Sequence, residues 1–245
     1  MSGIAGIIHF DGKPVEPGLI EKMTGAMAHR GPDDINHWVK GSVALGHCAL
    51  RVTESAGDPQ QPFTIDGNVW IAADARIDAR ADLIRTLRSR DCAVTTDAAD
   101  VELIAHAYNL FGRAFLRHII GDFAIALWDH RKARLFCARD HFGVRPFFYV
   151  QHNGVFLFAS CIDALLTHPI VPRSLDEEFI GDFLLFGNCQ DAERSVYRHI
   201  RRLPPATCFE LSEGACRIRR YWSLREKREI RFARDLDYIE QFQQL

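Results

Sequence analysis

The amino-acid sequence predicts an α+β domain in which antiparallel sheets carry helices on their faces. Three observations predict it: hairpin patterns recur along the chain, helical patterns come in clusters, and strand–helix–strand alternations are few. With 245 residues, 47% hydrophobic and 25% charged, the chain can bury a core without disulfides or metals.

The elements follow in order. Ile4 to Phe10 is an apolar run closed by Asp11-Gly12, the pattern of a buried strand. Leu19 to Ala28 places Ile20, Met23 and Met27 on one helical face, and the helix stops before His29-Arg30-Gly31-Pro32-Asp33. Trp38 to Val52 alternates as two short strands around Lys40-Gly41-Ser42. Val69 to Ala73 predicts another buried strand. Asp78 to Ser89 and Asp100 to Phe111 predict helices, the second capped by Thr96 or Asp97. Phe123 to Trp128 and Arg134 to Ala138 flank a turn as a hairpin, with Asp122 bonding at the strand start. Phe147 to Val150 and Val155 to Ala159 form a second hairpin, and Asp176 to Phe186 a helix. Thr207 to Leu211 and Cys216 to Tyr221 form a third around Ser212-Glu213-Gly214.

Composition excludes several functions. A net charge of -2 favours neither nucleic acid nor an anionic membrane. The N-terminal stretch lacks a basic region and is no signal peptide, and no apolar run is long enough to span a bilayer. Seven cysteines, an odd number without a Cys-x-x-Cys pair, fit reduced thiols in a cytosol. The eleven histidines show no metal-ligand spacing. His47 and Cys48 are neighbours on a strand and point to opposite faces, so they form no dyad. The tail is different. Arg219, Arg220, Arg225, Lys227, Arg228, Arg231 and Arg234 surround two acids, without interleaved stacking aromatics, so a solvated linker is the default. Leu236, Ile239, Phe242 and Leu245 then recur every third residue as an apolar helical stripe. That stripe either docks on its own domain or opens a further one.

Several landmarks converge on one family. Ser2-Gly3-Ile4-Ala5-Gly6-Ile7, His29-Arg30-Gly31-Pro32-Asp33, Gln61-Pro62, Gly121-Asp122-Phe123-Ala124, Ala138 to Pro146 and Phe158-Ala159-Ser160 are spaced as in asparagine synthetases. The chain resembles the N-terminal class II glutamine amidotransferase domain of that family over residues 1–222. The resemblance implies an N-terminal-nucleophile fold, a four-layer sandwich of two antiparallel sheets between helix layers. It makes 223–245 a linker and the first helix of a missing synthetase domain. ATP and Mg would belong to that synthetase domain, in cis or in trans, because its Ser-Gly-Gly-x-Asp-Ser loop is absent from these residues. A homodimer is an alternative assembly.

In such a domain the second residue, freed by removal of Met1, is a cysteine whose own α-amine, with a pKa of about 8, accepts its proton. Here it is Ser2. The resemblance assigns the glutamine carboxylate to an arginine where this chain has Ala49. Arg51 lies two residues on, roughly 6–7 Å along a strand. It assigns the oxyanion to an asparagine amide and the next glycine N–H, which are Asp74 and Ala75 here, and a substrate-holding glutamate to Arg76. A carboxylate cannot donate and repels an oxyanion. Asp100 matches the aspartate that grips the substrate amine. The Asp74-Ala75-Arg76-Ile77-Asp78 wording resembles domains attached to β-lactam synthetases and lasso-peptide cyclases, whose synthetase half uses an internal amine. The expectation is a degenerate glutaminase domain. The alternatives are a Ser2-dependent amidohydrolase and a truncated gene product. His29 and Arg30 are expected to order the loop around the nucleophile strand, and Arg139 with Asp140 to fix the Gly143–Pro146 turn as an ion pair.

Overall fold

The computed structural model describes residues 1–52, 59–212, 215–224 and 230–244. Two six-stranded antiparallel sheets stack face to face. The first gathers β1 (Gly3–His9), β2 (Asp34–Lys40), β3 (Val43–Ala49), β8 (Phe148–His152), β9 (Val155–Ala159) and β10 (Arg201–Arg202), in the spatial order β10-β8-β9-β1-β3-β2. The second gathers β4 (Phe63–Thr64), β5 (Val69–Ile77), β6 (Gly121–Asp129), β7 (Arg134–Arg139), β11 (Thr207–Ser212) and β12 (Ala215–Arg220), in the order β12-β11-β7-β6-β5-β4.

Strand alternation sorts the side chains into three apolar layers. On β1, Ile4 and Ile8 face the other sheet, while Ala5 and Ile7 face outward onto α1 (Pro17–Gly25) and α4 (Ile162–Leu166). On β5, Ala72 faces inward, while Ile71 and Ile77 face α2 (Arg80–Arg88) and α3 (Asp100–Phe111). The middle layer closes around Phe147, Phe156, Phe158 and Phe209, all fully buried. Stacked Trp38 and Trp70, 4.8 Å apart, join the two sheets at one edge. In the middle of the first sheet, Gly6 is required because a Cβ would overlap the Phe158 ring. The result is the four-layer sandwich, helices outside and sheets inside.

Most expected elements are present within a few residues, and the differences have physical causes. β5 runs to Ile77 instead of stopping at Ala73, because its backbone pairing with β6 continues past the polar Asp74 and Arg76. The N-cap of α3 is Ala99, with no side-chain bond. Thr96 and Asp97 lie too far upstream to cap it. The last long helix, α5 (Glu177–Phe186), has Asp176 as its cap, accepting from the Phe179 N–H at 3.0 Å. α4, β4 and β10 are too short to show a period in sequence. The tail forms α6 (Asp235–Gln243), on which Leu236, Ile239 and Phe242 are exposed instead of packed on the domain. Glu213 and Gly214 of the third hairpin turn, Arg225, Lys227, Arg228 and Leu245 lie outside the described residues. Among the described residues, no helix is long and apolar enough to cross a membrane.

Candidate active site

The inward faces of β1, β3 and β5 turn from apolar to polar at one end of the sandwich. Ile4 gives way to Ser2, Leu45 to His47 and Ala49, and Ala72 to Asp74 and Arg76. These side chains open a cleft of about 890 Å³. All six positions singled out from the sequence line it: Ser2, Ala49, Asp74, Ala75, Arg76 and Asp100.

Ser2 is tied at both ends of its residue. Its Oγ accepts from the Leu50 N–H at 3.1 Å, and its carbonyl accepts from Arg30 Nε at 3.3 Å. Arg30 therefore orders the start of β1 as expected, whereas His29 is exposed. The loop carrying Arg30 lies so close to β3 that a Cβ at Gly31 would overlap the Cys48 carbonyl.

Asp74 sits at the floor, 4% exposed. Its two carboxylate oxygens face two guanidiniums, Arg30 at 3.7 Å and Arg145 at 3.5 Å. These are charge contacts at or beyond hydrogen-bond length, and Asp74 Oδ2, Arg30 Nη2 and Arg145 Nε have no hydrogen-bonding partner among the described residues. Burial pushes the Asp74 pKa up, while Arg145, Arg30, the chain's N-terminal amine and the Ser2 N–H oppose that rise. One buried acid thus meets two arginines where the resemblance places a neutral amide donor.

The other positions are equally committed. Ala49 offers no charge, and Arg51, which lines the same cleft, pairs with Asp34 at 3.2 Å. Arg76, which also lines the cleft, pairs with Asp78 at 2.9 Å. Asp100 is not an open carboxylate: one oxygen takes the Ile77 N–H at 2.9 Å and the other pairs with Arg80, which also donates to the Ala98 carbonyl. His47 is 5% exposed, and its pKa is lowered to about 4 by burial. Its buried Nε2 has no hydrogen-bonding partner among the described residues. Cys48 points the other way, its thiol donating to the Thr24 carbonyl at 3.3 Å. The Gly143–Pro146 turn is fixed by Arg139 and Asp140, but not by their pairing with each other. Arg139 donates to the carbonyls of Arg145 and Leu203 at 2.6 and 2.7 Å, and Asp140 accepts the N–H groups of Phe142, Val144 and Arg145.

Over residues 1–222 the chain matches the family model described as a glutamine amidotransferase domain. The chain belongs to that family. It is 32% identical over 232 residues to asparagine synthetase [glutamine-hydrolyzing] 3 of Bacillus subtilis (strain 168), covering 93% of this chain and 38% of the relative. It is 30% identical to asparagine synthetase [glutamine-hydrolyzing] 2 of the same organism, covering 92% of this chain and 31% of that relative. The chain therefore spans about a third of the length of these two relatives. Among solved structures it resembles the glutamine phosphoribosylpyrophosphate amidotransferase of B. subtilis, with a TM-score of 0.64 at 16% identity, covering 90% of this chain and 49% of that one. This likeness establishes the shared fold.

Within this amidotransferase domain, sequence reasoning missed two residues that decide the cleft's electrostatics. Arg145 was legible only as part of a turn, and Arg80 only as a helix start. Their partners, Asp74 and Asp100, are 71 and 20 residues away. For Asp100 the sequence signal was an acid with no cation at helical spacing, and for Asp74 the nearby Arg76, at strand spacing, pointed to the wrong partner.

Proposed function

We propose that this amidotransferase domain has lost glutamine hydrolysis and serves as a scaffold or docking platform for an ATP-dependent, amide-forming synthetase domain. The synthetase would be of the asparagine synthetase, β-lactam synthetase or lasso-peptide cyclase type. The observation that carries this reading is Asp74, a buried carboxylate between Arg30 and Arg145 at the oxyanion-donor position. A tetrahedral oxyanion formed on Ser2 would meet a like charge instead of a donor. Ala49 and the capped Asp100 remove the grips on the substrate's carboxylate and amine. The docking half draws on α5, which buries none of its residues and exposes Phe183, Leu184, Leu185 and Phe186. It also draws on the relatives' additional length.

The test has two arms. Purified chain incubated with glutamine should release no ammonia above the uncatalysed rate, and it should co-elute with a synthetase domain from the same genome. Steady ammonia release that disappears in Ser2→Ala ends the first claim, and a synthetase that works unaided and forms no complex ends the second. That first outcome would support the alternative, a Ser2-dependent amidohydrolase acting on glutamine or another amide. One observation favours it: Ser2 lines the cleft, and its Oγ accepts from the Leu50 N–H, which leaves the hydroxyl proton available to give up. The idea also requires a free α-amine, so a mass spectrum retaining Met1 rules it out.

A further inference from the structure

We propose that, once Met1 is removed, Asp74 holds the α-amine of Ser2 as an ammonium and so withdraws the general base of the nucleophile as well as the oxyanion donor. The inference rests on the reading above and says how the loss works. A hydroxyl at residue 2 can attack only if its proton passes to a neutral amine nitrogen. An ammonium has no lone pair to take it.

The geometry places the two groups together. A single guanidinium, that of Arg30, reaches the Ser2 carbonyl through Nε and Asp74 through Nη2. Ser2, at the head of β1, and Asp74, on β5 of the facing sheet, line the same cleft, and the N-terminal amine already contributes to keeping Asp74 charged when Met1 is present. Removing Met1 turns the Ser2 nitrogen itself into that cation, against a carboxylate shielded from solvent.

The charged and titratable groups around it can be named element by element. Asp74 comes from β5, Arg30 from the loop after α1, Arg145 from the turn after β7, and His47 from β3. His47 is neutral near pH 7, and Cys48 turns to the opposite face. Asp100 and Arg80 neutralise each other on the far side, as do Arg51 with Asp34 and Arg76 with Asp78. The two arginines favour a neutral amine, and Asp74 is the anion that opposes them. With an uncharged residue at 74, only the arginines remain and the amine must lose its proton more readily.

The experiment uses the full chain with Ser2 as its verified N-terminus. The rate of N-terminal acetylation by acetic anhydride is followed against pH, with the N-terminal peptide quantified by mass spectrometry. In native protein the midpoint should lie above that of the same chain in urea. In Asp74→Asn and Asp74→Ala it should fall by about one pH unit or more, a tenfold gain in free amine. Asp74→Glu should keep the native midpoint. Near-UV circular dichroism of the Trp38–Trp70 pair reports whether each variant is folded. A native midpoint at or below the urea value overturns the proposal without any variant, as does a midpoint that folded Asp74→Asn leaves unmoved. The ammonia assay on native chain is independent: activity there defeats the proposed function, whatever the amine does.

Discussion

The inter-sheet core and the inter-sheet cleft are built by the same strands, on the same faces, two residues apart. Ile4, Leu45 and Ala72 fill the core without exposure. Ser2, His47 and Asp74 continue the same rows into the cleft. In the core, shape is all that matters, and the chain keeps it. In the cleft, the positions that the resemblance assigns to substrate are substituted, as at Ala49, or paired with a protein partner, as Arg76 with Asp78 and Asp100 with Arg80. The difference shows how substitutions at a site can be accommodated without disturbing the fold. The strand ends carry the reacting groups but little of the apolar burial, so replacing them leaves the sandwich standing.

The sharpest way to break this comparison is to exchange the costs of the two regions. Phe158→Ala empties a site where Gly6 has given way to the ring, and it should cost about 3–5 kcal/mol in urea unfolding. Ser2→Ala, in the adjoining row, removes one hydrogen bond from Leu50 and should cost about 1 kcal/mol. Equal costs would mean the cleft is part of the structural core.

The next test asks whether the chemistry can be written back onto the same backbone. A chain carrying Ser2→Cys, Ala49→Arg, Asp74→Asn, Ala75→Gly and Arg80→Ala recovers the thiol, the carboxylate grip and the oxyanion donor, and removes the Arg80 ion pair from Asp100. Its ammonia release from glutamine should exceed that of Ser2→Cys alone by roughly a hundredfold or more, since one oxyanion donor is worth that much. If Ser2→Cys alone matches it, Asp74 is no obstacle and the contrast between core and cleft is wrong.

A smaller effect should appear in the pH dependence of stability. The His47 pKa is depressed from 6.5 to about 4 by burial, so the unfolded chain binds its proton first as pH falls. Its contribution is fully present above pH 6.5 and is lost as pH falls toward 4. The loss is on the order of 2–3 kcal/mol. Urea unfolding at pH 7 and pH 4.5 should show a steeper fall for the native chain than for His47→Gln. Parallel losses would place the pH dependence on other groups.

How much of this was legible in sequence follows from the range over which each interaction acts. The apolar rows of β1, β3 and β6 and the helical face of Ile20 and Met23 are local patterns, and they gave the layers. The glutamine amidotransferase landmarks are also local, and they led to Ser2, Ala49, Asp74, Ala75, Arg76 and Asp100, which the fold gathers in one cleft. What those residues touch was not legible. Asp100 matched the aspartate that grips a substrate amine, and its pairing with Arg80 stayed hidden because the two meet only when α2 and α3 are packed, while Arg139 with Asp140 read as a pair although each is spent on backbone. The end of β5 was lost for the opposite reason: its polar residues belong to the site, and a hydrophobic pattern cannot see a strand that continues for function.

The smallest effect on the fold is expected at α5, where the core's composition reappears outside the core. Its acidic first turn, Glu177 and Glu178, and its Asp176 cap fix where the helix starts, and Gly187 in the left-handed region ends it. The helix therefore does not need Phe183–Phe186 to exist. Those four side chains are more than half exposed, so removing them takes little apolar surface out of the protein interior. Leu184→Ser with Leu185→Ser should change the unfolding free energy by no more than about 0.5 kcal/mol each. The same pair should nonetheless abolish co-elution with the synthetase domain, because a large apolar patch held on a stable helix is worth more to a partner than to its own fold. Loss of stability comparable to Phe158→Ala would make α5 a piece of the core. Retained binding would move the docking surface elsewhere on the domain.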